Sequence, residues 1–510
     1  AALRYRVMYG AEVSMPMYDD DLHGDGQAND GWYGATIPSG IATPGQMIRY
    51  RIIATNSVGI GARWPLFLNP TNSPEYLGMV VDDPTISTNI PVYHWFVQNT
   101  GAADRRTGTR CSLYYDGEFY DNIFCRLRGG SSSSQTKKPH KIEFNDGYDF
   151  KFAPGEKRVD EINLSAAFDD PTYMRDFLSW ETFKNAGLPY CYSYQLQLRQ
   201  NGSFHSLAVL IEQVDKHFLR RHGYDDKGVL YKAGGNGLFL REAATLYEKK
   251  TPRDGDHSDL QGLINMLTSR DAVAKRRFAY DKLNLPEIIN FLAANIVLQD
   301  WDYGNKNYYV YRDRYGSDEW TIFGWDKNLT FGYVWDNSNC VANDDFIGHS
   351  GGFGVCSPYW NSWNALYGLI FNINTPYVSI PDFLPLYARR ARTLMDKLLQ
   401  PPDTPVNELK FEQRIEQLRQ QLKAVAQADR AKWGWPAQGG FFRHAHLQID
   451  EGCTELTNLY LARRRTHLFV THNVRRGGIL PDTQPASANL LFGTIESVPA
   501  SGNKQESYIE

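Results

Sequence analysis

Two short stretches of the chain hold its most reactive spacing, DWDYGNKNYYVYRD and WTIFGWDKNLTFG. In the first, Asp302 and Asn307 are separated by four residues. In the second, Asp326 follows an apolar, strand-like run. Two carboxylates and an amide are hard oxygen donors, the kind that suit Mg2+ or Mn2+. Phosphoryl transfer asks for little more than this. It needs a carboxylate to orient the acceptor hydroxyl, ligands for the metal, and cations over the phosphates.

Catalytic loops of protein kinases use the spacing D-x-x-x-x-N, with a second metal-binding Asp roughly twenty residues later. The stretch between the two sites here, YYVYRDRYGSDEWTIFGW, reads as a β-hairpin that would carry the two acidic sites to one place. The alternative is that Asp302 and Asn307 cap the helix ending near Gln299 and shape its exit loop. Upstream, RLRGGSSSSQTKKPHKIEF joins a Gly/Ser-rich turn to a strand carrying Lys137, Lys138 and Lys141. Backbone N–H groups of such a turn can cradle phosphates and a strand lysine can reach them. A surface hairpin with solvated lysines would look similar, and neither a Walker A nor a GxGxxG pattern is present. Glu181, in MRDFLSWETF, is the candidate carboxylate to steady the strand lysine. An exposed helix-face glutamate is its alternative.

Elements able to position these groups are legible along the chain. PTYMRDFLSWETFKNAG has a proline at its start, helical apolar spacing and Gly187 as a stop. LQLRQNGSFHSLAVLIEQVD reads as a hairpin about Asn201-Gly202, running into a helix at Lys216 to His222. LPEIINFLAANIVL is apolar at 285, 288, 289, 292 and 296, and a further helix runs from Glu408 to about Ala428. A third helix contains LYLARRRTHLF, whose three arginines could bind anions or form an exposed basic face. Residues 75–150 are strand-like, with hairpin signals at YYDGEFYDN and FNDGYDF. Before them, MIRYRIIATNSVG alternates as a half-buried strand does. The loop YDDDLHGDGQANDGWYG could bind Ca2+ through Asp21, Asp25 and Asp30, or be a cluster of Asx turns.

At 510 residues, two to four domains are expected. Hydrophobic residues make up 42% and charged residues 22%, as in globular proteins, and the net charge of −4 carries no basic stripe. That argues against a nucleic-acid partner. The longest apolar run, Ile288 to Leu298, is too short to span a bilayer. The aromatic content, 14%, suits extracellular or β-rich modules. None of the six cysteines forms a CxxC pair. Cys340 and Cys356 flank a Gly/Ser-rich loop that a disulfide would staple, with two free thiols as the alternative. His217, His222, His444 and His446 lack zinc spacing.

Six blocks in order carry a resemblance: RGGSSSS with KKPHKIEF, NLSAAFDDPTYMRDFLSWETFKNAGLP, LIEQVDKHFLRRHG, LYK, DWDYGNKNYYVY and WDKNLTFG. Over roughly residues 75 to 475 the chain resembles the CotH kinase family of spore-coat protein H-like atypical kinases. The resemblance implies an α+β protein-kinase-like fold with a β-rich N-lobe and a mainly helical C-lobe. It also implies ATP with Mg2+ or Mn2+, and phosphorylation of Ser or Thr in a protein. Asp302 would be the catalytic-loop carboxylate, with Asn307 and Asp326 as metal ligands. Lys141, or else Lys138, would hold the phosphates. Arg128 and Ser131 would belong to the phosphate loop, and Glu212 would lie near the adenine pocket. Family members often carry a second acid after the WD block, where this chain has Asn328, so metal affinity is the property in question.

Residues 1–72 resemble part of a fibronectin- or immunoglobulin-like β-sandwich. The kinase-like domain is expected over 73–475, and 476–510 as a linker and the start of a lamin-tail-like β module. A secreted, extracellular or cell-surface protein is the setting these modules imply. A non-catalytic adhesion or scaffold module, a pseudokinase, is the competing expectation.

Overall fold

The computed structural model describes all residues except 236, 301, 334–363, 372–377, 437–445 and 484–510. Cys340, Cys356, His444 and most of the expected C-terminal module therefore lie outside the described residues. The chain is α+β and divides into two compact units. One comprises residues 1–168, 194–213 and 421–434; the other comprises 169–193, 214–420 and 435–510.

The first unit begins with a sheet built from β1 (Ala2–Val7), β2 (Val13–Pro16), β3 (Met47–Thr55), β4 (Gly61–Trp64) and β5 (Leu77–Val80). The order is β2-β1-β3-β4, with β5 also pairing β3. Because β5 lies past residue 72, this sheet runs beyond the boundary expected from the sequence. The acidic loop is a cluster of Asx turns. Asp25 accepts the N–H groups of Asp20, Asp21 and His23, while Asp30 accepts those of Gln27 and Trp32. These carboxylates aimed at their own backbone fit the Asx-turn reading of the loop, and among the described residues no three His, Cys, Asp or Glu side chains are grouped to hold a metal.

Seven further strands close into a barrel: β6 (Val92–Val97), β7 (Thr109–Tyr115), β8 (Glu118–Leu127), β9 (His140–Glu143), β10 (Glu161–Ser165), β11 (Ser193–Gln200) and β12 (Ser203–Glu212). Their inward faces bury Tyr93, Trp95, Leu113, Ile142, Leu196 and Leu207. Asp116-Gly117 and Asn201-Gly202 both adopt positive φ, as two-residue hairpin turns require. FNDGYDF does not form a second such hairpin. β9 pairs directly with β10, and residues 144–160 are their connection, held by one bridge from Phe150 to Val159.

A buried ion pair ties this barrel to residues 421–434. Lys137 is 1% exposed, and its ammonium donates to Asp429 (2.8 Å) and to the Leu207 carbonyl (2.7 Å). The other Asp429 oxygen accepts the Leu207 N–H at 2.8 Å. Lys137 is thus committed to the core, not to solvent.

The second unit packs helices about a four-stranded sheet in the order β14-β13-β15-β16. Its strands are β13 (Val229–Ala233), β14 (Glu248–Thr251), β15 (Tyr308–Arg312) and β16 (Trp320–Gly324). Helix α1 (Arg175–Asn185) ends before Gly187, which takes φ +77°. Helices α2 (Lys216–Arg221), α3 (Ser258–Thr268) and α4 (Ala272–Lys282) precede α5 (Leu285–Leu298). Asn284 caps α5 through the Glu287 N–H, Pro286 sits in its first turn, and every residue but Glu287 is buried. Helix α6 (Phe383–Leu394) follows, then α7 (Lys410–Trp433), whose residues from 421 on belong to the first unit, and a helical run over 449–471 with α and π turns.

Removing one partner of a buried pair leaves an uncompensated charge, so Lys137→Met is expected to destabilise the protein by about 3–5 kcal/mol. Urea unfolding followed by tryptophan fluorescence checks this. A loss under about 1 kcal/mol would show that the pair does not hold the barrel.

Candidate active site

The catalytic-loop candidate begins where α5 stops. Gln299 takes a left-handed conformation (φ 46°) and turns the chain out of the helix. A helix buried all round must still satisfy the carbonyls of its last turn. Arg464 donates to Ile296 O (2.9 Å), the Tyr460 hydroxyl to Val297 O (2.7 Å), and the Phe331 N–H to Leu298 O (2.5 Å). The helix end is closed by these groups, not by Asp302 or Asn307.

The loop then folds on its own side chains. The Asp300 carboxylate accepts the Asp302 N–H at 3.0 Å. Asp302 Oδ2 accepts the Asn307 amide at 2.9 Å and faces the Lys306 ammonium at 3.1 Å. Because β15 and β16 pair Tyr308 with Gly324, the next rung sets Asn307 beside Trp325, whose N–H donates to Asn307 O at 2.9 Å. Asp326 follows immediately. Asn307 and Asp326 both hold positive φ (59° and 55°), a conformation that Asn and Asp tolerate better than other side chains.

Residues 326–333 are fixed by α1 and by Asp169 ahead of it. Asp176 accepts the Lys327 N–H at 3.1 Å, and Asp169 accepts the Asn328 amide at 3.2 Å. Ser179 and Thr330 hydroxyls share a hydrogen bond of 2.9 Å, and the Arg175 guanidinium lies 4.3 Å above the Tyr333 ring. Lys327 itself is fully buried and pairs with Asp300 at 2.5 Å.

Burial pushes the Asp302 carboxyl up to about 7; Lys306 opposes this, and the charges of Asp300 and Asp326 add to it. Asp302 and Asp326 are thus near enough to repel. Two mutually repelling carboxylates and an amide, all hard oxygen donors, fit a divalent cation. With its nitrogen engaged on Asp302, Asn307 has its oxygen left to serve as a ligand atom.

The remaining candidates belong to the first unit, except Glu181. Gly129 and Gly130 lead into a 3-10 turn, Ser131–Ser134, and the Lys138 ammonium donates to Ser133 O at 2.9 Å. The Arg128 N–H donates to Pro139 O, and Glu212 ends β12 as a buried carboxylate. Lys141 pairs with Glu161 on the neighbouring β10 at 2.5 Å. Glu181, on α1 of the second unit, is held by Arg414 through contacts of 2.8 and 2.9 Å. Lys141 thus has Glu161 as its carboxylate partner, and Glu181 has Arg414.

Sequence reasoning missed Asp300, Lys327, Asp169 and Asp176. A signal existed: the acids of FDDPTYMRD and the QD of QDWD are charges set among apolar residues. The arginines of LYLARRRTHLF were also misread. Arg464 and Arg465 are buried, the latter bound to Glu412 at 2.6 and 2.7 Å.

Comparison with known proteins follows the same lines. The family model described as CotH kinase protein matches residues 125–467. The inner spore coat protein H of Bacillus subtilis (strain 168) is 24% identical over 221 residues, 41% of this chain, and the chain spans about three fifths (59%) of that relative. Two solved structures align only loosely. The Helicobacter pylori proinflammatory kinase CtkA has 11% identity and a TM-score of 0.27, covering 64% of this chain and 94% of its own. The HipA–HipB toxin–antitoxin complex of Shewanella oneidensis MR-1 has 14% identity and a TM-score of 0.25, covering 60% and 65%. With its model matched over well more than half of the sequence, the chain belongs to the CotH kinase family.

Proposed function

We propose that this chain is an atypical protein kinase that transfers the γ-phosphoryl group of ATP to Ser or Thr of a protein acceptor. The observation that carries the reading is the convergence of Asp302, Asn307 and Asp326 through the register of one hairpin. In this reading Asp302 orients the acceptor hydroxyl and takes up its proton. Asn307 and Asp326 hold Mg2+ or Mn2+, which would bridge phosphate oxygens and offset their charge. Lys141, with Arg128, Ser131 and Lys138, attends the phosphates, and Glu212 stands on the adenine side. Glu181, paired with Arg414, is left out of the nucleotide set. Similarity to a spore coat protein supports a surface-associated setting, and among the described residues no helix is long and apolar enough to cross a membrane.

One observation favours the second reading, a non-catalytic adhesion or scaffold module. Asn328 directs its amide at Asp169, so the metal loop offers one carboxylate fewer than relatives with an acid at this position.

Calorimetry of ATP with Mg2+ or Mn2+ separates the two. The kinase reading expects saturable, metal-dependent binding that Asp326→Ala weakens at least tenfold. A folded wild-type protein that binds ATP with neither metal would leave the scaffold reading.

The pH dependence has a definite sign. The Asp302 carboxyl sits at about 7 when folded and near 3.8 when free, so its contribution to stability is full at low pH and is lost as pH rises toward 7. The ionised carboxylate, beside Asn307 and Asp326, adds negative charge that attracts the cation they would hold. Apparent Mn2+ affinity should therefore climb with pH up to about 7 and level off above it. Asp302→Asn should flatten that dependence and gain in thermal stability on the wild type between pH 5 and pH 8. An unchanged pH profile in the variant would show that the Asp302 charge does not act on the cation.

A further inference from the structure

Lys327 occupies an unusual place for a lysine beside a reactive centre. Its side chain is fully buried, and its ammonium lies 5.5, 5.6 and 6.0 Å from the ring centroids of Phe183, Phe291 and Tyr303. Asp300 Oδ2 lies 2.5 Å from it. A Cβ on Gly324 would come within 2.7 Å of Lys327 Cε, so the absence of a side chain at that strand end makes room for this path. Such an ammonium cannot reach a nucleotide. Its interactions are consumed inside the unit, where a low dielectric strengthens both the ion pair and the ring contacts.

The partners it joins matter more than its burial. Through its two oxygens Asp300 holds the Asp302 N–H on one side and the Lys327 ammonium on the other. Lys327 is covalently next to Asp326, and its own N–H is held by Asp176. A single buried carboxylate thus links the backbone of the catalytic loop to the residue that follows the metal-loop aspartate. The hairpin fixes Asn307 against Trp325, and the Asp300–Lys327 link adds a second tie on the opposite side of the loop.

We infer that Asp300 and Lys327 are positioning residues that set the separation of Asp302 and Asp326 for a divalent cation. The inference deepens the kinase reading and rests on it. Replacing a caged ion pair by neutral groups of similar size keeps the packing but removes the directional tie. Lys306 differs from Lys327 in that it is part-exposed and contacts Asp302 from the loop itself, so it can move when a cation arrives.

The test uses the full chain and measures Mn2+–ATP binding by calorimetry beside the thermal unfolding midpoint. Lys327→Met alone strands the Asp300 charge and is expected to lower both. The double variant Asp300→Asn with Lys327→Met removes that charge, so its unfolding midpoint should return to within a few degrees of wild type. Its Mn2+–ATP affinity should stay at least tenfold weaker, and raised Mn2+ should restore binding. Gly324→Ala, which displaces Lys327 without altering charge, should weaken Mn2+–ATP binding in the same direction. A folded double variant with wild-type affinity would overturn the positioning role while leaving the kinase reading intact. A wild-type protein that binds no Mn2+–ATP would overturn that reading and the positioning role together.

Discussion

The last turn of α5 is the constraint on which the second unit depends. A helix buried on nearly every face cannot hand its terminal carbonyls to water, and each unmet carbonyl would cost roughly 1–3 kcal/mol. Arg464, Tyr460 and the Phe331 N–H meet them from two distant parts of the chain. That solution has a geometric consequence. Phe331 belongs to the segment that begins with Asp326, so satisfying Leu298 O brings this segment against the helix exit that carries Asp300 and Asp302. Arg464 also places a cation at the negative end of the helix dipole.

Charge arrangement follows from that meeting. Asp300, Asp302 and Asp326 lie within mutual influence, and burial disfavours ionising Asp300 and Asp302. The two lysines answer this differently. Lys327, enclosed by rings and fully buried, pairs with Asp300 inside the framework. Lys306 only partly offsets Asp302, whose carboxyl stays near 7. The net result is a buried framework pair, Asp300 with Lys327, beside Asp302 and Asp326, the two carboxylates that the proposed function gives to the reaction. Desolvation outweighs the lysine contact at both carboxyls, Lys306 at Asp302 and Lys327 at Asp300, and raises both.

Much of this centre was legible in the sequence because it is local. The D-x-x-x-x-N spacing and a hairpin of nearly fixed length bring Asn307 to Trp325 by register alone, without help from remote residues. Helices α1, α5 and α7 were legible from apolar spacing and from Pro286 and Gly187. What the sequence hid is tertiary. Nothing local distinguishes Lys137, buried on Asp429, from Lys138, which folds back on a serine turn. Arg464 and Arg465 look like a solvated basic face until the α5 carbonyls and Glu412 claim them. Glu181 has the right position on a helix to steady a strand lysine, yet Arg414 takes its carboxylate and Glu161 serves Lys141 from the adjacent strand. The acidic loop near Asp25 offered two readings, and only the direction of its backbone N–H groups separates them.

The most direct measurement of the central claim is metal-dependent labelling of a protein acceptor, or of the chain itself, with ATP carrying label at the γ or the α phosphate. The account predicts incorporation from γ-labelled ATP on Ser or Thr, dependent on Mg2+ or Mn2+ and lost in Asp302→Ala. Label arriving from the α phosphate would contradict phosphoryl transfer and indicate nucleotidyl transfer by the same centre. No incorporation from either, by a folded protein with metal present, would contradict catalysis altogether.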